Sequence, residues 1–223
     1  MMTSRARWAL LAVLLVAFAL TVVAAGQRGD PPAATGAERL GPEFGEPVAD
    51  YLQRAARSLP LSSEDEAWAL VQPSGYLDPS GATDLVRGTR LSAVVFRVPL
   101  PGVQTALVAR DLPGQRPAAE LGTAMREAAQ DRARAAAQAP PGSRRAAAAI
   151  TEAARLQAGC TCVLALLVWA DGDTLRELAG RPGVRAVHAA SPGTPRQELA
   201  VSPLLPEQPD VVGPVPDDGP VPP

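Results

Sequence analysis

The sequence predicts an α+β domain, a ferredoxin-like β-α-β-β-α-β sandwich with an inserted Ala-rich helical hairpin, preceded by one transmembrane helix. Three observations carry this reading. The stretch YLDPSGATDLVRGTRLSAVV, Tyr76 to Val95, is matched without a gap by WADGDTLRELAGRPGVRAVH, Trp169 to His188, 93 positions further on. Both copies carry helix punctuation at matching places. An apolar run of 18 residues, Trp8 to Ala25, precedes everything else.

In the paired stretches Asp78/Asp171, Leu85/Leu178, Ala93/Ala186 and Val94/Val187 are identical. Asp78 and Asp171 stand where a helix needs a side-chain oxygen for its orphan N–H groups. Pro79 follows at the first helical position, where a missing N–H costs nothing. Gly88 and Gly180 stand where a left-handed residue closes a helix. LSAVVFRV and VRAVHAA supply the strands after each helix, and AWALVQ and CVLALLVW those before. Two strand–helix–strand crossovers in succession, each right-handed by rule, give the β-α-β-β-α-β order. Pro73 and Gly75 oppose a long first strand, because a central strand does not hold proline. That strand is therefore expected to end at Gln72 or to bulge.

The remaining segments follow from composition. Residues 1–26 read as a cytoplasmic stub and anchor: at 1.5 Å per residue the apolar run spans roughly 27 Å, near the thickness of a bilayer core. A cleaved signal would have a shorter apolar region, although Val23-Ala24-Ala25 would serve as its exit. Arg5 and Arg7 then place the N-terminus in the cytoplasm and the C-terminus outside the cell membrane, with the lipid bilayer as partner of residues 8–25. Residues 27–47 read as a linker, and its Arg28-Gly29-Asp30 as a chance tripeptide. Residues 48–190 form the expected extracytoplasmic domain. It opens with a short amphipathic helix, VADYLQRAARSL, with Val48, Leu52, Ala55 or Ala56, and Leu59 near one face. The insertion 117–158 reads as two helices broken at Ala139–Gly142, with Ser143 capping the second and Gly159 ending it. Asp131/Arg134 and Glu152/Arg155 are expected as exposed i,i+3 pairs. Residues 191–223 hold ten prolines in 33 positions and are expected to be disordered, with polyproline character.

Composition also limits the chemistry. The net charge of −2 gives no sign of a nucleic-acid partner. All 21 basic residues are Arg, so Schiff-base and P-loop lysine mechanisms are excluded. Cys160 and Cys162 are the only cysteines, and outside the membrane they are expected to be a disulfide candidate. In a strand they would share a face at roughly 6.5 Å, the long end of what a bridge permits. A structural staple is the first reading and a thiol–disulfide redox pair the second. Two Cys and one His are too few for a metal site, and no cofactor is implied. His188, the single histidine, has no nucleophile-elbow partner. Ser74 and Ser80 read as turn serines. Asp171, Asp173 and Glu177 read as carboxylates that suit a helix start.

LRELAGRPGVRAVHAA, Leu175 to Ala190, resembles the closing helix and strand of subtilisin-propeptide-like peptidase inhibitors, which are ferredoxin-like domains. That resemblance implies a peptidase-inhibitor role as an alternative. The anchor and the Arg, Ala and Pro bias look like those of membrane-anchored envelope proteins of actinobacteria, a likeness that implies no activity. The expected function is a protein-binding or regulatory module without catalysis, its partner an unknown protein.

Overall fold

The computed structural model describes residues 38–222; the expected anchor, its orientation and the Arg28-Gly29-Asp30 tripeptide lie outside the described residues. Among the described residues no helix is long and apolar enough to cross a membrane.

The chain is mixed α and β. In order it forms β1 (Glu38–Leu40), α1 (Val48–Arg57), β2 (Glu66–Pro73), α2 (Pro79–Leu85), β3 (Arg90–Phe96) and β4 (Val108–Asp111). It continues with α3 (Pro117–Gln138), α4 (Arg144–Gln157), β5 (Val163–Asp171), α5 (Gly172–Ala179), β6 (Val184–Ala189) and β7 (Leu199–Val201). Five strands make one sheet in the order β4-β3-β5-β2-β6, every neighbour antiparallel. β1 and β7 pair in parallel as a separate ribbon. The central strands β2 and β5 are apolar on both faces, as strands covered on both sides must be.

Each face has its own core. On one, Ala69, Val71, Val94, Phe96, Leu166 and Val168 pack with residues of α2, α3, α4 and α5. On the other, Trp68, Leu70, Val95, Leu164 and Leu167 pack with Leu40, Leu199, Val201 and Leu205. The alternation follows the two-residue period of a strand. Helix α1 packs beside β6 through Val48, Tyr51 and Ala55.

The duplicated unit holds from the helices onward. α2 and α5 begin at Pro79 and Gly172, 93 positions apart. The Asp78 carboxylate accepts the Gly81 N–H at 2.8 Å, and Asp171 accepts the Thr174 N–H at 2.9 Å. The strands before the helices do not correspond. β5 runs straight into the Asp171 cap, whereas β2 stops at Pro73 and residues 74–78 intervene. Pro73 lies where the register against β6 shifts, an irregularity that tolerates the missing N–H. Gly88 is left-handed at φ +91°, as expected, but Gly180 is right-handed at φ −88°, and the left-handed turn falls on Gly183 instead.

The hairpin α3–α4 lies against the sheet: Leu121, Ala124, Met125 and Ala128 belong to the helix-side core. Ser143 caps α4 by accepting the Ala146 N–H at 3.2 Å. The expected Asp131–Arg134 pair forms. Glu152 departs from expectation. Its side chain is 2 % exposed, pairs with Arg132 of α3 rather than Arg155, and accepts the Ala106 N–H at 2.7 Å.

Two further expectations are corrected. Residues 38–47, placed in the linker by the sequence, belong to the folded unit: Leu40 is fully buried and β1 pairs with β7. Residues 191–222 are not disordered but run over the domain as an extended strap, for reasons that emerge from their hydrogen bonds.

Candidate functional site

The cysteines do form a bridge, with Cα atoms 5.3 Å apart. They lie before β5 rather than in it, and the bend at Thr161 brings them closer than an extended strand would. Gly159, left-handed at φ +81°, starts that bend. Cys162 is fully buried in the helix-side core, and Cys160 is partly exposed beside it. The bridge ties the end of α4 to the head of β5. The main chain adds the Cys160 N–H on Arg155 O at 3.2 Å and the Arg97 N–H on Cys162 O at 2.9 Å.

His188 is committed elsewhere. It is buried on β6, and its Nδ1 accepts the Gly41 N–H at 2.9 Å. The Tyr51 ring meets it edge-on at 5.7 Å. Burial, helped by the nearby Arg54 cation, pulls its pKa down to about 4, so it is the neutral form that holds Gly41. Gln72 donates to the Tyr51 hydroxyl and accepts the Leu204 N–H, which joins α1, β2 and the strap in one buried polar seam. Burial pushes the Tyr51 phenol up to about 12. Arg54 closes the seam, with Nε at 3.1 Å and Nη2 at 2.7 Å from the Glu46 carboxylate and Nη2 at 3.2 Å from Gly41 O. Gly41 itself has φ +127°, and a Cβ there would strike the Ser202 carbonyl.

Ser80, Asp171, Asp173 and Glu177 have structural partners. Ser80 donates to Asp78, and Ser74 lies in the turn after β2. Asp173 pairs with Arg176, and Glu177 with Arg181 at 3.0 Å. Among the described residues no group of three or more His, Cys, Asp or Glu is placed to hold a metal.

The strap is bonded to the domain along its length, from Ser191 to Pro222. A proline-rich chain has few N–H donors but a full set of carbonyls. The domain answers with donors. Arg185 donates to Leu205 O at 3.0 Å and to Gln208 O at 2.7 Å. The Val48 N–H reaches Asp210 O at 2.7 Å and the Gly45 N–H reaches Val212 O at 2.8 Å. Gln104 donates to Val215 O at 2.9 Å, Arg144 to Gly219 O at 2.6 Å, and Thr151 to Pro222 O at 2.6 Å. Charges fix the register. Arg97, only 3 % exposed, pairs with Glu207 at 2.8 Å, and the Tyr76 hydroxyl donates to the same carboxylate at 3.0 Å. Arg144 pairs with Asp217 at 2.9 Å. Leu204 anchors the strap apolarly, buried with Val48, Tyr51, Ala55 and Ala186. None of Arg97, Arg144, Arg185 and Gln72 stands out in the sequence. The signal that points to them is in the strap, where Leu204, Leu205, Glu207 and Asp217 interrupt a run otherwise suited to a spacer.

No family model matches the sequence, and neither a curated protein nor a solved structure is similar to it.

Proposed function

We propose that the chain is a single-pass membrane-anchored extracytoplasmic protein whose domain, a ferredoxin-like sandwich, binds extended proline-rich polypeptide and regulates rather than catalyses. The carrying observation is the part of the strap after β7: about twenty residues of irregular chain, five of whose carbonyls accept from Arg, Gln and Thr side chains of the domain. A surface that reads backbone carbonyls and a few side chains suits a partner segment of similar composition. The sheet order β3-β5-β2-β6 supports the ferredoxin-like reading, since it sets the third strand beside the first and the fourth on the first strand's other side. The apolar run Trp8–Ala25 supports the anchor.

The test starts from the folded full chain with a protease site placed in the exposed turn Ser191–Gly193. After cleavage the strap should stay bound through gel filtration, then exchange with a labelled peptide of residues 203–222. Immediate loss of the strap, with no saturable uptake of peptide, would sink the proposal. Carbonate extraction of membranes tests the anchor separately: release of the chain into the soluble fraction rules it out.

A thiol–disulfide role for Cys160 and Cys162 is the competing reading. The partial exposure of Cys160 favours it, because exchange requires access by an outside thiolate. Titration in a graded glutathione couple decides. A pair that stays oxidised at the reducing end removes the redox reading.

A further inference from the structure

The two edges of the five-stranded sheet end differently. β6 is covered: α1 packs beside it, and Ser58 Oγ accepts the outward N–H of Ala189 at 2.8 Å. β4 has β3 as its one neighbour, and no described strand lies on its other side. The Leu112 N–H turns inward to Ser92 O at 2.8 Å, so by strand alternation Ala109 and Asp111 turn their N–H and C=O groups outward. Both residues are exposed, and neither outward N–H has an acceptor among the described residues. Ala109 O holds Arg110 Nη1 at 2.7 Å and keeps its second lone pair. Charged side chains ordinarily guard such an edge. Here they are neutralised within the chain, Arg110 by Asp131 and Asp111 by Arg196.

Beside this edge a groove of about 410 Å³ runs between the end of β4 and the first turns of α3, lined by Asp111, Leu112, Glu120, Thr123 and Glu127. Glu120 is taken up by the N–H groups of Gly114, Gln115 and Arg116. Glu127 is exposed and has no ion-pair partner among the described residues. Arg116, the cation of the lining, lies three turns back along the helix, roughly 16 Å away and beyond the screening length at physiological salt.

We infer that β4 binds an extended segment of a partner polypeptide as a further strand of the sheet, with an Arg or Lys side chain of that segment in the groove against Glu127. The outward N–H groups of Ala109 and Asp111 and the Asp111 carbonyl pair with the segment's backbone. Alternate side chains of the added strand face α3. At ~30 Å³ for each water-sized group the groove takes about thirteen heavy atoms, one arginine side chain with a smaller neighbour. A second copy of this chain is the poorer fit, because two-fold pairing through β4 sets the acidic flank of α3 beside its own copy. The site is separate from the strap's: a proline-rich segment lacks the N–H donors that the β4 carbonyls take.

The capped pentapeptide Thr-Val-Arg-Val-Thr, titrated into the full chain and followed by amide NMR, tests the inference. Saturable shifts are expected at Ala109, Asp111, Thr123 and Glu127, with the strap amides unmoved. The same peptide with Glu in place of Arg should bind about five-fold more weakly, the upper size of one exposed ion pair. Glu127→Arg should reverse that order. Ala109→Pro removes one outward N–H and keeps the ladder with β3, as an edge strand allows, and should lower affinity about five-fold. Lack of saturable binding, equal affinity for the two peptides, an unreversed order in Glu127→Arg, or unchanged affinity in folded Ala109→Pro overturns the inference. Shifts confined to Gln104, Thr151 and Arg185 also overturn it, since they put the peptide on the strap's surface. So does a dimer of the full chain that Ala109→Pro dissociates, since the edge then belongs to a second copy.

Discussion

The two faces of the central sheet are covered by different means. The inner face is closed by helices that follow their strands closely in sequence and bury Leu, Val, Phe and Ala against them. The outer face is closed by the two ends of the described chain, β1 and the strap, which add to a smaller apolar core a set of polar side-chain fastenings: His188 on Gly41, Gln72 on Leu204, Arg97 on Glu207, Arg185 on two carbonyls. Burial is indifferent to pH and direction. Hydrogen bonds and ion pairs are neither. One sheet therefore carries a greasy side that should melt with the whole domain and a fastened side that should open by itself.

The sharpest way to break this contrast is Leu166→Ala, which removes a fully buried side chain from the helix side. It should cost about 3–4 kcal/mol and shift the whole urea transition. A change confined to the strap would contradict the contrast.

Acid should act on the other side. The unfolded chain takes up a proton on histidine near the ordinary value of about 6.5, whereas folded His188 stays neutral to about pH 4. Between those values the unfolded state binds more protons. Stability is full above pH 6.5, falls as pH drops towards 4, and levels off below, a loss on the order of 3 kcal/mol. Hydrogen exchange should show the Gly41 amide opening first. His188→Gln, which offers Oε1 to the same N–H, should flatten this portion of the pH profile.

Next in size is Glu207→Ala, which strands the buried Arg97 cation. Breaking a fully buried pair costs ~3–5 kcal/mol. Glu207 is 39 % exposed, so about 2 kcal/mol is expected. Faster proteolysis of the strap, with the helix-side amides still protected, is the readout.

The smallest effect belongs to the bridge. Replacing Cys160 and Cys162 together by Ser opens a ring spanning three residues, and so short a loop constrains the unfolded chain by only about 1–2 kcal/mol. The thermal midpoint in reducing and oxidising buffer measures it.

The same contrast explains what was legible in the sequence. The inner side is built from local signals: Asp78 and Asp171 as caps, Pro79 and Pro117 at first helical positions, Ser143 before the second hairpin helix, continuous apolar runs in β2 and β5. Each is set by neighbours a few residues away. The outer side is built from pairs far apart in the chain, such as Arg97 with Glu207 and Gly41 with His188. Proline content alone counts missing donors in the strap and says nothing about donors waiting on the domain. Glu152 pairs beyond the reach of helical spacing for a related reason: that spacing offers Arg155, and only the hairpin's packing brings up Arg132.

The parallel pairing of β1 with β7 has a mechanical consequence. Glu38 lies opposite Leu199 and Leu40 opposite Val201, so the incoming end of one strand and the outgoing end of the other sit at opposite ends of the ribbon. Tension applied between Glu38 and Ser202 must slide the strands past each other and strain their hydrogen bonds at once, where an antiparallel hairpin would unzip bond by bond.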